Sequence, residues 1–222
     1  MASPKHVEDG RKRNGPGRPE GRTATREDIL DAAERHFAER GFAAANLREI
    51  ATDANVTQAM VNYYFGSKVE MFKEVYLRRG RKLAASRMRL LEAALATPSP
   101  QVEDIVRAYL IPPFKLRASA QGKAFLRLQA RLHAEPDEMA FELRREVYDR
   151  PVRAFVAALR SLLPHKTEDE LYLSFAQLIG IYIYIVSGAH RIGEIQGTRR
   201  PVPTSTALIE EIVQFATAGI RR

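Results

Sequence analysis

Between Asn46 and Lys68, the stretch NLREIATDANVTQAMVNYYFGSK gathers side chains suited to reading a nucleic acid rather than to breaking bonds. Gln58 and Asn62 stand four residues apart, so a helix would carry them on one face. Each amide can exchange paired hydrogen bonds with an adenine edge, and a methyl-bearing side chain such as Ala59 or Met60 can pack on a thymine methyl. With Tyr63, these make a helix richer in hydrogen-bonding groups than packing alone needs, although a short solvated helix is the plain alternative. Bond-breaking constellations do not emerge. His6, His36, His133, His165 and His190 are scattered, without HExxH or EF-hand spacing. A phosphate-cradling glycine loop and a nucleophile elbow are also missing. With no cysteine in the chain, disulfides and thiolate chemistry are excluded. Glu135, Asp137 and Glu138 read as helix-start acids. The chain is therefore expected not to be an enzyme and to use no cofactor or metal.

The elements that must position these residues are legible from caps and periodicity. Asn46 followed by Glu49 forms a capping box, and Leu47, Ile50, Ala51 and Ala54 make the buried stripe of a short helix. Asn55 suits a left-handed turn, and Thr57 caps a second short helix over 58–65, with Val56 and Val61 turned inward. Ser67 and Glu70 form another capping box, whose free N–H groups suit a phosphate. Upstream, Thr25 is the expected N-cap of a helix with acids in its first turn. Ile29, Ala32, Ala33, His36 and Phe37 form its inner face, and Gly41 is its stop. This is a helix-turn-helix pattern.

The segment GFAAANLREIATDANVTQAMV, continued by Asn62-Tyr-Tyr-Phe-Gly-Ser-Lys68, closely resembles the DNA-binding domain of the tetracycline-repressor (TetR) family over residues 26–76. The resemblance implies that Gln58, Ala59, Met60, Asn62 and Tyr63 face the groove. It implies phosphate contacts for Asn46, Arg48, Thr57, Tyr64 and Lys68. At Asn62 the sequence departs from the family, which often carries tyrosine there; an asparagine could read a base. Residues 1–22 mix basic side chains with glycine and proline and cannot bury apolar surface, so they are expected to be a flexible basic arm. Its arginines, Arg18 among them, could lie in a minor groove. GPGRPEGR partly resembles an AT-hook, with Glu20 where a basic residue would help. A solvated tail and a localisation run are the alternatives.

The whole chain has 222 residues, 45% of them hydrophobic, and a formal net charge of +8. That size allows a sizeable core, and the charge points to a polyanion such as nucleic acid. Helical periodicity from about Arg26 onward predicts an all-α fold of about nine helices. The family resemblance implies their division into a flexible basic arm (1–22), a three-helix DNA-binding domain (23–70), and an effector-binding and dimerisation domain (71–222). After the helix-turn-helix, a long helix carries Arg78, Arg79, Arg81 and Lys82 as a solvated face and stops at Thr97-Pro-Ser-Pro100. Further helices are expected over about 102–116, interrupted at Pro112-Pro113, and over about 118–132. Another starts with Pro136 in its first turn and runs towards Leu163 with a kink before Pro151. The last two are expected from Thr167 to about 187 and over about 205–220, separated by a loop.

LIGIYIYIV, over 178–186, is apolar nearly all round, as a core helix or a subunit interface would be. The family resemblance implies the second, a four-helix interface carrying Leu178, Ile181, Ile185, Ile209, Ile212 and Phe215. It also implies an effector cavity, for which Phe114, Phe125, Leu128, Phe141, Tyr148 and Phe155 are candidates. Arg127 and Arg131, one turn apart, could hold an anion there. An aromatic stripe is equally an ordinary core. No secretory signal is visible and the longest apolar run looks too short for a bilayer, so a cytoplasmic protein without a membrane partner is expected. The expected function is a homodimeric repressor released from a palindromic DNA operator by an unknown small-molecule effector. The alternatives are an effector-independent DNA-binding protein that organises chromosomes and, less well supported, an all-α enzyme.

Overall fold

The computed structural model describes residues 20–134, 137–186, 194–197 and 206–222. Arg18 and the rest of the arm to Pro19, the start at Pro136 and most of the loop before the last helix lie outside the described residues. Among the described residues the long elements are all helices: α1 (Glu20–Ala44), α2 (Leu47–Asp53), α3 (Gln58–Phe65), α4 (Lys68–Leu95), α5 (Val102–Leu116), α6 (Ala120–Ala134), α7 (Glu138–Leu162), α8 (Glu168–Val186) and α9 (Thr206–Arg221). The all-α expectation holds.

Several boundaries differ from the sequence reading, each for a local reason. Helix α1 begins at Glu20, so Thr25 lies inside it. The last proline of the arm is Pro19, and Gly21, at the first turn, weakens the helix without stopping it. At Gly41 the backbone turns left-handed, with φ 78° and ψ 173°, and breaks α1 where the sequence placed a stop. Helix α5 runs through Pro112 and Pro113 without interruption. Neither proline has an N–H to offer the Ala108 or Tyr109 carbonyl, but Arg87 Nε gives the Tyr109 carbonyl a donor at 3.1 Å, and both rings are buried. Helix α7 is likewise one element with Pro151 inside it, and its N-cap is Asp137, whose side chain accepts from the Ala140 N–H at 2.7 Å. At 19 residues, α8 is long and apolar enough to cross a membrane by length and composition, which the shorter sequence run had concealed. Its Leu171, Phe175, Leu178, Tyr182 and Val186 are nevertheless buried against protein.

Two apolar clusters organise the packing. One joins Ile29 and Phe37 of α1, Ile50 of α2, Val61 and Phe65 of α3 and Phe72 of α4 to Phe125, Leu128 and Leu132 of α6 and to Leu143 of α7. The helices around the turn therefore share their core with the body instead of closing one alone. The other cluster joins Leu91, Tyr109, Leu110, Phe155, Phe175, Leu178 and Val213 from α4, α5, α7, α8 and α9. Helix α4 contributes to both, so it links the two ends of the molecule.

Candidate nucleic-acid interface

Three capped starts hold the helix-turn-helix. The Asn46 side chain accepts from the Arg48 N–H at 2.9 Å, that of Thr57 from Met60 N–H at 3.2 Å, and that of Ser67 from Glu70 N–H at 3.1 Å. Between α2 and α3 the chain turns through Asn55 at φ 55°, the left-handed conformation that asparagine tolerates. Val56 N–H then bonds back to the Ala51 carbonyl at 2.9 Å. Helix α3 ends at Gly66, φ 69°, whose N–H reaches the Asn62 carbonyl at 2.8 Å. Ile50, Ala51, Val61 and Phe65 supply the buried side of this unit.

The opposite side is open. Asn46, Arg48, Thr57, Gln58, Ala59, Met60, Asn62 and Tyr63 are exposed, and Tyr64 and Lys68 are half-buried. Gln58 with Asn62, and Ala59 with Tyr63, share α3 faces at i, i+4 spacing. Among the described residues, neither the Gln58 nor the Asn62 side-chain amide is engaged, and no carboxylate pairs with Arg48. Tyr63 is 70% exposed and packs edge-on against Tyr64, with ring centroids 5.5 Å apart. Lys68 has a second role that the sequence did not show. Its ammonium donates to the Ala43 carbonyl at 3.0 Å and lies 4.9 Å from the Phe42 ring centroid. An ammonium has three donors, so this bond leaves others for a phosphate.

Helix α1 sets the orientation of α2 and α4. The buried His36 ring meets Asp53 of α2 at 2.7 Å, and Arg40 pairs with Glu49. Towards α4, Arg78 contacts Glu27 at 2.7 Å, Asp31 at 2.6 Å and Glu34 at 2.7 Å. Arg79 meets Glu34 at 2.7 Å as well. The basic run expected to be a solvated face is thus, at Arg78 and Arg79, an ion-pair clamp onto α1. Glu34 is 1% exposed. Burial pushes its carboxyl above the usual range, while hydrogen bonds from Arg79 and Arg78 pull against that shift.

Sequence comparison places this unit. A family model described as "Bacterial regulatory proteins, tetR family" matches residues 29–75, and one described as "Tetracyclin repressor-like, C-terminal domain" matches residues 107–219, half of the chain. The chain belongs to the TetR family. As in that family generally, its function is that of a DNA-binding transcriptional regulator. It is similar to the HTH-type transcriptional regulator BetI of Rhizobium meliloti, 29% identical over 71% of this chain and 76% of that protein. It is also similar to the HTH-type transcriptional repressor NicS of Pseudomonas putida, 33% identical over 37% of this chain and 38% of that protein. The solved TetR-family regulator PfmR of Thermus thermophilus has the same fold at 17% identity, with TM-score 0.63 over 88% of this chain and 95% of that one. A HlyIIR mutant structure does so at 19% identity, with TM-score 0.63 over 87% and 97%.

The residues expected to line a TetR-type effector pocket are divided between the two clusters and the surface. Phe125 and Tyr148 pack in the α1-side core, and Phe114 and Phe155 in the other. Arg127 is exposed and Phe141 is 49% exposed, so neither lines an interior. Arg131 donates to the Glu39 carbonyl at the end of α1, 2.9 Å away, so the expected Arg127–Arg131 anion pair does not form. Leu128 and Arg131 instead border a cavity of about 350 Å3 between α1 and α6, with Phe42, Phe72 and Leu132.

Of the expected interface residues, Leu178 and Ile212 are buried within the subunit, because the inner stripes of α8 and α9 that include them belong to the second cluster. Ile181, Ile185 and Ile209 are half-buried and Phe215 is 70% exposed. The sequence reading missed a central polar group, Arg87 with Tyr76, Tyr109, Gln129, Tyr148 and Tyr182. Its signal was an arginine in the α4 stripe Tyr76, Gly80, Leu83, Arg87, Leu91, where apolar spacing demands burial.

Proposed function

We propose that this chain is a homodimeric repressor that reads a palindromic operator with α3 and lets go when a small molecule occupies its body. The observation that carries the DNA half of this reading is the α3 face. Gln58 and Asn62 present unengaged amides on a short helix whose position is fixed by capped ends and a shared core. In this reading Gln58, Ala59, Met60, Asn62 and Tyr63 face bases, and Asn46, Arg48, Thr57, Tyr64 and Lys68 hold phosphates. The basic residues up to Arg18 serve as an arm, the unit from α1 to the start of α4 binds DNA, and the rest is the effector and dimer domain, acting in the cytoplasm. Binding of an effector can shift the population only by the difference between its affinities for the two states, about 10⁴-fold for a full reversal.

The transmission route rests on geometry. Helix α4 begins at Lys68, the proposed phosphate contact, is clamped to α1 at Arg78 and Arg79, and continues into the body past Arg87. A tilt of α4 therefore moves the helix-turn-helix with it. The test is a gel-shift assay on the DNA upstream of the gene, with a salt titration. A sequence-selective complex that weakens steeply with salt is expected. Equal binding to random DNA, or none, defeats the reading.

A further inference from the structure

The least expected group in the molecule is Arg87. It is fully buried, 0% exposed, in the middle of α4. Arginine keeps its proton in a protein interior, so this is a full positive charge out of water. Among the described residues no carboxylate pairs with it. Its Nε donates to the Tyr109 carbonyl at 3.1 Å, while Nη1 and Nη2 lack a hydrogen-bond partner. The guanidinium is stacked 3.6 Å from the Tyr109 ring centroid and 4.9 Å from that of Tyr182. The Tyr182 hydroxyl is close enough to favour the cation electrostatically without meeting hydrogen-bond geometry. Two ring faces and one carbonyl recover less than the dehydration of a whole charge costs.

The unsatisfied edge is the informative one. With Nε occupied, the free nitrogens are the terminal pair, the fork that meets the two oxygens of a carboxylate. The nearby Tyr148 hydroxyl accepts twice, which leaves its own proton for an added oxygen. Gln129 donates to the Tyr148 hydroxyl at 2.7 Å, and the Tyr76 hydroxyl lies 3.3 Å from it. The buried Gln129 side-chain carbonyl has no donor either, and since a carboxylate supplies none it takes no part in holding the anion. Around this group the walls are aromatic: Tyr109 contacts Phe155 and Phe175 edge-on at 5.2 and 4.7 Å between centroids. One cation with an aromatic surround matches a single negative charge on an apolar body, not a polyanion.

We propose that Arg87 is the anion-binding residue of the effector site, and that the effector is a small monocarboxylate with an aromatic or aliphatic body. What binding does to DNA rests on the regulator reading; the binding itself does not. Tyr148 and Tyr76 give it a mechanical outlet. An acid on Arg87 that also accepts from the Tyr148 hydroxyl would reorder the Tyr148–Tyr76 contact, and Tyr76 is less than one turn from the Arg78 and Arg79 clamp on the same helix.

The test uses the full chain, wild type and two variants, by thermal shift with millimolar benzoate, phenylacetate and octanoate. The corresponding neutral amides and potassium chloride at matched ionic strength are the controls. Wild type should gain several degrees with at least one acid and none with its amide. Arg87→Met should lose that gain and, without any ligand, melt about 2–8 °C above wild type, because an apolar side chain replaces an uncompensated charge. Arg87→Lys keeps the charge without the fork and should lose most of the response. Several results overturn the assignment: no acid moves wild type, amides act as well as acids, either variant responds like wild type, or ligand-free Arg87→Met melts below wild type or fails to fold. Operator binding by ligand-free wild type is measured separately. Its absence would defeat the regulator reading while leaving the acid response intact, and the converse result would spare the regulator reading.

Discussion

At the scale of single residues, the exposed face of α3 divides into side chains that could discriminate between bases and side chains that could only hold the backbone. Gln58 belongs to the first kind, because its amide can pair with one base edge and not with others. Arg48, on the preceding helix α2, belongs to the second, because a phosphate is the same at every step. Gln58→Ala should therefore reduce the preference for operator over random DNA by about 1–3 kcal/mol while leaving random-sequence affinity nearly unchanged. Arg48→Ala should weaken both complexes alike and reduce the salt slope by about one. Fluorescence anisotropy on paired specific and random duplexes separates the two, and equal losses in both variants would refute the division.

His133 gives a second test at this scale. Burial, helped by the charges of Arg144 and Arg87, holds its imidazole below the ordinary value of 6.5, against the pull of a 2.9 Å bond to the Gln129 carbonyl. A histidine depressed in the fold is protonated first in the unfolded chain, so acid favours unfolding. Its contribution to stability is complete above pH 6.5 and is lost as pH falls through the folded value. The melting temperature should fall from pH 7 to pH 5, and His133→Asn should flatten that fall. An unchanged slope in the variant would assign the pH dependence to other groups.

At the scale of elements, the contact between α1 and α4 decides whether the body can move the DNA-facing helices. Glu34 is buried between two arginines, and a buried ion pair broken from one side leaves charge behind. Glu34→Ala should cost near the low end of about 3–5 kcal/mol in urea unfolding, because Glu27 and Asp31 retain Arg78. It should also lower operator affinity at temperatures where the protein is still folded. A stability loss with unaltered operator affinity would make the clamp a packing feature without a role in orienting α3. The clamp also shows what sequence can and cannot convey. The caps at Asn46, Thr57 and Ser67, the Asn55 turn and the Gly41 break were legible because each is written within four residues. Arg78 and Arg79 read as solvated because their partners lie more than forty residues upstream on another helix. The effector candidates are divided between clusters for the same reason: helical spacing shows which residues face inward, but it does not show which helices they meet there. Phe125 and Phe155 consequently sit in different clusters, and the charge that lies among the aromatics is Arg87 rather than Arg127 or Arg131.

At the scale of the whole molecule, a single subunit leaves too much apolar surface on one side. Leu173 is 63% exposed, Tyr184 45% and Phe215 70%, all on α8 and α9. Between the two helices lies a groove of about 620 Å3 lined by Ser174, Gln177, Ile181, Phe215 and Gly219. Two copies related by a twofold axis would each cover the other's groove, since an isologous contact uses the same patch twice. The intramolecular stripe of α8, with Leu178 and Tyr182, would remain intact in either state. Phe215→Arg tests this with little risk to the fold, because the side chain has few intramolecular contacts to lose. It should convert a dimer of about 50 kDa, twice the 25.0 kDa chain, into a monomer by light scattering. Far-ultraviolet circular dichroism should stay unchanged. Loss of the tether between two DNA-reading units should then reduce affinity for a palindromic operator by about 10²-fold or more, with a smaller effect on a single half-site. A variant that stays dimeric with wild-type operator affinity would place the subunit contact on another face of the molecule.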